Sequence, residues 1–271
     1  RKTCGNWLSP ERNENDLYCW PGLILPTREE ANENNDDNGR YCLCSSRDRG
    51  EEAIENVLAE NDYNWEEIVR DHSTRKDADD YAERFVSDFD GRFWSSAPSN
   101  LSKPEDTNEV LLFTTKRRAI ITEVAIKPLL EPFSLFMKTV FRWPRISIKI
   151  YSLPQKNDNK ALKITKDMFS SVGEEMCRVA GSRFDRFRNT DHRLDQRAII
   201  EAVLSNHNPV YESPIMDVTS RDNSWQYYAI PDGVVGNLIT FTLHGKTFEQ
   251  HLGSGFYVCV ERISARGVPL I

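Results

Sequence analysis

Alternation of apolar and polar side chains in the C-terminal half constrains this chain more than any other feature. In "RISIKIYS", Ile146, Ile148 and Ile150 take one side while Arg145, Ser147 and Lys149 take the other. Successive strand side chains point to opposite faces, so a period of two marks a strand with one face buried. The stretches "EVLLFTT", "AIITEVAIKPL", "GNLITFTLHG" and "GFYVCVERISARG" carry the same period and are rich in β-branched residues. In the third, Ile239, Phe241 and Leu243 oppose Leu238, Thr240 and Thr242. In the last, Phe256, Val258 and Val260 are expected inward. Tyr257, Cys259 and Glu261 then form a mixed face against a neighbouring edge or insertion. Several such segments separated by turn residues predict an antiparallel sheet covered on one side, and two such sheets stack as a sandwich. The expected class is mainly β: an antiparallel β-sandwich with helical insertions.

Two segments carry a helical period instead. In "EEAIENVLAEN", Ile54, Val57 and Leu58 share one helical face, with acids in the first turn where the dipole favours them. Between 155 and 207, "GEEMCRVAGSRFDRF" and "RLDQRAIIEAVLSNH" show helical spacing. This stretch reads as an insertion between strands, too poor in apolar residues to bury a core of its own. A further helical excursion is expected near 60–90. Residues 1–40 form an N-terminal arm, partly irregular, whose Trp7, Leu8, Trp20, Leu23 and Ile24 can pack on a body spanning 41–271.

Charge is divided along the chain. Residues 28–110 hold 23 acidic and 10 basic residues, whereas 111–271 hold 16 acidic and 22 basic. A solvated acidic loop explains the split, and so does an acidic half that covers the basic one or meets a basic partner. The basic residues are too scattered for a nucleic-acid footprint. No run of about 18 apolar residues marks a membrane span. Six cysteines show no disulfide framework, and a reducing compartment is expected. Cys42 and Cys44 in "YCLCSS" are expected on opposite strand faces, unable to share a metal, and Cys259 reads as a small buried hydrophobe. The sequon Asn100-Leu101-Ser102 is compatible with secretion.

Catalytic signatures are missing from the sequence: it has no G-x-S-x-G elbow, H-E-x-x-H pair, P-loop or G-x-G-x-x-G turn. His72, His192, His207, His244 and His251 are scattered, none with a metal-ligand neighbour at helical or hairpin spacing. Glu51/Glu52 and Asp79/Asp80 are adjacent pairs, which a helix does not place on one face. The expectation is a non-catalytic interaction module without metal or cofactor. Loops at a sandwich rim are where recognition residues sit, because the sheets fix the loop ends. Candidates are Arg92 and Trp94 in "GRFWSS", and Arg221, Asp222, Trp225, Tyr227 and Tyr228 in "RDNSWQYY". Aromatic faces beside an arginine suit a sugar or a peptide. Trp94 also reads as core packing, and Trp225 stands just ahead of a strand.

"CSSRDRGEEAIENVLAEN", "GRFWSS", "AIITEVAIKP" and "GSGFYVCVERISARGVPL" occur in an order that resembles discoidin-like (F5/8 type C) galactose-binding-domain sandwiches. Together with "SPIMDV" and "IPDGVVGNLITFTLHGK", the combination resembles plant and algal F-box proteins whose C-terminal half is such a jelly-roll sandwich. The resemblance covers about residues 41–271. It implies the substrate-recognition half of a ubiquitin-ligase receptor, intracellular and either cytoplasmic or nuclear. No F-box precedes Tyr41 in this sequence. A structural subunit of a large assembly, organellar if a presequence preceded Arg1, and a lectin-like glycan binder are the other readings. The expected partners are accordingly other proteins, either substrates or neighbouring subunits, or a glycan.

Overall fold

The computed structural model describes residues 22–33, 41–47, 53–58, 93–99, 107–130, 140–155, 162–164, 194–195, 197–205, 207–218, 222–246, 248–249 and 256–270. Seven strands carry the architecture: β1 (Cys42–Cys44), β2 (Trp94–Ser95), β3 (Asn108–Leu130), β4 (Arg145–Tyr151), β5 (Gln226–Ala229), β6 (Val235–His244) and β7 (Cys259–Pro269). Helix α1 spans Arg28–Glu33, helix α2 spans Arg197–Ser205, and a 3-10 turn spans Ile54–Leu58. Every pairing between described strands is antiparallel. The expected mainly-β antiparallel class is what forms. Among the described residues no helix is long and apolar enough to cross a membrane.

β3 is the spine. Sequence alternation predicts two strands over its length, but the chain runs on as one strand of 23 residues. Its first half pairs with β1 and β6 (Leu112 opposite Leu43 and Thr240), and β6 passes the ladder on to β4. Its second half pairs with β5 on one side and β7 on the other. Between the halves, Thr115–Arg118 lie outside the β6 register, which jumps from Gly236/Ala119 to Leu238/Thr114. There the Lys116 amide donates to the Ile24 carbonyl, and the Ile24 amide donates to the Ala265 carbonyl. The segment after Gly22 thereby bridges β3 and β7 at the bend. Ile24 is buried; Leu23, expected to pack with it, is 64% exposed because the strand period turns it outward.

Both halves of β3 face one core, so the single sheet is folded into two layers. Leu111, Phe113, Ile121, Val124 and Ile126 of β3 meet Ile146, Ile148 and Ile150 of β4, Ile239, Phe241 and Leu243 of β6, and Val258, Val260, Ile263 and Ala265. Each buried aliphatic or aromatic side chain of this kind contributes about 1.5–3 kcal/mol of burial free energy. Two one-residue irregularities switch the inward parity. Thr122 is extra on β3, between the pairs Ile121/Gly267 and Glu123/Arg266. Glu261 is extra on β7, between Val260/Pro128 and Arg262/Lys127. Bulges of this type shift which alternate residues point inward, hence Val258 and Val260 before Glu261 but Ile263 and Ala265 after it.

The outer face of the layer made by β1, the first half of β3, β6 and β4 departs from the one-sided cover that alternation predicts. Leu43, Leu112, Tyr151 and Leu238 point outward and are buried under Leu153, Leu162, Ile164 and the apolar stripe Ile199, Ile200, Ala202 and Val203. The insertion is too poor in apolar residues for a core of its own, and it shares the sheet's outer face instead. The same parity corrects the expectation for Cys42 and Cys44. Two residues apart, they lie on one face, both in the inner core, while Leu43 lies on the other. Ile54, Val57 and Leu58 are buried as expected, on a 3-10 turn and not an α-helix. The helical stretches expected near 60–90 and in "GEEMCRVAGSRFDRF" lie outside the described residues.

Candidate functional site

β5 is an edge strand with the sequence Gln226-Tyr227-Tyr228-Ala229, paired only to β3 among the described strands. Asp222 starts the approach: its Oδ1 accepts the Ser224 amide at 3.0 Å and the Ser224 hydroxyl. A side chain bonded to the backbone two residues on closes a turn and delivers the chain into the strand at Trp225. Beyond Ala229, Pro231-Asp232-Gly233 makes a turn in which Gly233 takes a φ of 82°, and the chain then enters β6.

Strand alternation separates the aromatics of this segment. Trp225 and Tyr227 share the outer face, with ring centroids 6.2 Å apart and planes tilted by 33°. Tyr227 is 58% exposed. Tyr228 turns inward and packs against the main core, its hydroxyl donating to Gln226 Oε1 at 3.1 Å. Burial pushes the Tyr228 hydroxyl up to about 12, because a phenolate would lose its hydration there. In the same outward row as Tyr227 lie Ala125 of β3 and Ser264 of β7. Ion pairs flank that row: Lys127 Nζ to Glu261 Oε1 at 3.0 Å, and Arg266 to Glu123 at 3.9 Å. The surface therefore offers one exposed ring, Tyr227, and one half-buried ring, Trp225, beside the Arg266–Glu123 pair.

Of the sequence-selected residues, the structure brings Trp225 and Tyr227 together on one face, places Tyr228 behind them and leaves Asp222 in the turn ahead of the strand. Trp94 is not available to a ligand. It is fully buried in the main core, and its indole N–H donates to the Ser46 carbonyl at 3.1 Å. Its strand pairing, Trp94 to Val260, makes it structural. Arg92 and Arg221 lie outside the described residues.

The two serines that follow Cys44 serve a buried polar hub. Glu109, at the start of β3, accepts both the Ser45 hydroxyl and, at 2.8 Å, the Ser46 hydroxyl. Its other oxygen pairs with Lys246 Nζ at 2.8 Å, and Lys246 also donates to the Ala97 carbonyl at 2.6 Å. Arg197 of α2 approaches Glu109 at 3.9 Å. With Glu30–Lys116 at 3.0 Å, these ion pairs join the acidic first part of the chain to the basic remainder. The charge split thus partly reflects intramolecular complementarity. Sequence spacing had no means of finding this hub, whose members lie at 45, 46, 109, 197 and 246.

No family model matches the chain, and no curated protein matches it. Solved structures do. The family 32 CBM of Clostridium perfringens NanJ in complex with galactose aligns at 7% identity and a TM-score of 0.34, over 83% of this chain and 93% of that one. Chitosan-binding module 1 of a Paenibacillus chitosanase/glucanase aligns at 8% identity and a TM-score of 0.38, over 86% and 98%. A Streptococcus pneumoniae fucose-binding module aligns at 10% identity and a TM-score of 0.36, over 86% and 96%. Likenesses at these values carry no functional weight.

Proposed function

We propose that the chain is a recognition module whose contact surface is the aromatic lip of β5, and that its ligand is a glycan. The observation that supports this is the Trp225–Tyr227 pair: two rings on one strand face, one of them 58% exposed. Single exposed apolar residues are ordinary, but an exposed Tyr227 ring beside the half-buried Trp225 ring forms a stacking surface. The C–H faces of a pyranose present apolar area to such rings, while its hydroxyls need the polar groups that lie alongside. A glycan array probed with the purified chain, beside Trp225→Ala and Tyr227→Ala, tests it. Binding to a defined glycan that both substitutions reduce supports the reading; no binding above background beside an active lectin control removes it.

A second reading follows from the motif order alone. By resemblance to F-box receptors, the same lip would contact a protein substrate. Co-purification of the full-length protein with a cullin adaptor supports that reading, and its failure counts against it. The motifs that carry the resemblance serve the fold here, since Trp94, Ser95 and Ser96 are buried and Ile126 is core.

A further inference from the structure

The five histidines have no chemical neighbours in sequence, yet one of them has two in space. His244, at the end of β6, stands between β3 and β4 and pairs in register with Asn108 on one side and Arg145 on the other. Its Nε2 lies 2.9 Å from Ser147 Oγ, and its Nδ1 lies 3.2 Å from Asn108 Oδ1. An amide oxygen only accepts, so Nδ1 carries the proton and Nε2 presents its lone pair to the serine hydroxyl. That fixes one tautomer and one order of roles: hydroxyl donor, imidazole acceptor, and a carbonyl-type oxygen that orients the ring.

We propose that Ser147, His244 and Asn108 form an acyl-transfer relay acting on carboxylic esters, with Ser147 as nucleophile, His244 as general base and Asn108 as the orienter of the ring. The arrangement supplies a nucleophile–base hydrogen bond and a base–orienter hydrogen bond, with Ser147 7% exposed between the exposed Arg145 and the half-buried His244. Arg145, exposed and directly across from His244, takes part in no ion pair among the described residues and is the available cation for a developing oxyanion. Helix α2 supplies a wall beside the row, for its Arg197 donates to the Asn108 carbonyl. In the step, a Ser147 Oγ–acyl carbon bond forms while the hydroxyl proton passes to Nε2. The ester C–O bond then breaks, and that proton leaves on the alcohol. Water deprotonated by Nε2 next releases the acid and restores the serine hydroxyl.

The groups facing the imidazole are consistent with a neutral ring at neutral pH. Burial first, and then the positive charge of Arg145, hold His244 below the ordinary histidine value of 6.5. Asp217 lies beyond Arg145 on the next strand; Arg197 and Glu109 lie on the Asn108 side.

The test is covalent labelling of the whole chain with a fluorophosphonate, read by intact mass and peptide mapping, together with 4-nitrophenyl acetate hydrolysis. Wild type should gain one adduct, on Ser147, and Ser147→Ala none. His244→Asn should slow labelling at least about 100-fold, the usual scale of general-base assistance. Asn108→Asp, which replaces the amide by a carboxylate able to stabilise the imidazolium, should label faster than wild type. The labelling rate should rise with pH and level off with a midpoint below 6.5. A purely structural row predicts the reverse for Asn108→Asp, namely no gain in rate. No adduct on wild-type Ser147, or equal rates in wild type and folded His244→Asn, overturns the proposal.

Discussion

Replacing Glu109 by alanine tests whether the buried hub holds the end of the sandwich. The Glu109 and Lys246 side chains are 5% and 3% exposed, so both charges sit in a medium that hydrates them poorly. In Glu109→Ala, Lys246 keeps its bond to the Ala97 carbonyl but loses its counter-charge, and the Ser45 and Ser46 hydroxyls lose their acceptor. Breaking a buried pair from one side costs about 3–5 kcal/mol, mostly from the ion left behind. Removing both partners is different: Glu109→Leu with Lys246→Met leaves no buried charge, and such replacements are often neutral or stabilising by about 1–4 kcal/mol. The two serines still need partners, so a net cost of about 1–3 kcal/mol is expected for the double variant. Urea denaturation followed by tryptophan fluorescence gives all three free energies. A loss below about 1 kcal/mol in Glu109→Ala, or a double variant no more stable than the single, would refute the reasoning.

Three further outcomes are expected. Ile200→Ala, on the buried face of α2, should cost about 2–5 kcal/mol while the chain keeps a single unfolding transition; a separate early transition would show the outer layer to be an independent unit. Gly267→Ala should destabilise the chain by at least about 1–3 kcal/mol, because its Cβ would overlap the Ile120 carbonyl oxygen, whereas Gly22→Ala, with open space around it, should change stability little in the same denaturation series. Burial, with Glu55 next, raises the Cys44 thiol to about 12, so thiolate is scarce at pH 8. Mass-spectrometric mapping after brief iodoacetamide treatment should find Cys44 unmodified in the native chain and modified in urea.

Alternation read from sequence places the inner faces of β4, β6 and the start of β7 correctly, because those strands are regular there. It misreads β3 as two strands, since "TKRRA" carries charge where a turn is expected, although the backbone only bends and hands its pairing from one layer to the other. The outer layer was hidden for a different reason. Leu43, Leu112 and Leu238 are isolated apolar residues on a face that otherwise reads as polar, and only the placement of α2 reveals what covers them. Tyr227 and Trp225 were legible as candidates because aromatics beside an arginine suit a binding rim, but that ground did not separate them from Tyr228, which the strand turns inward. The Ser147–His244–Asn108 row was not, since its members come from three strands whose neighbours in space are distant in sequence. Trp94 illustrates the limit of composition: an aromatic in a Ser-rich motif serves a core as readily as a surface.

Because one strand belongs to both layers, the order in which the ribosome delivers the pieces matters. β3 emerges early, but the partner that covers the whole second half of its edge arrives only with residues 259–269. Until then a long row of unsatisfied amides and carbonyls stands open beside Ile121, Val124 and Ile126, the kind of edge that recruits other chains. Nascent chains halted shortly before Cys259 should therefore be chaperone clients, and loss of the last strand should cause aggregation, not a partly working module.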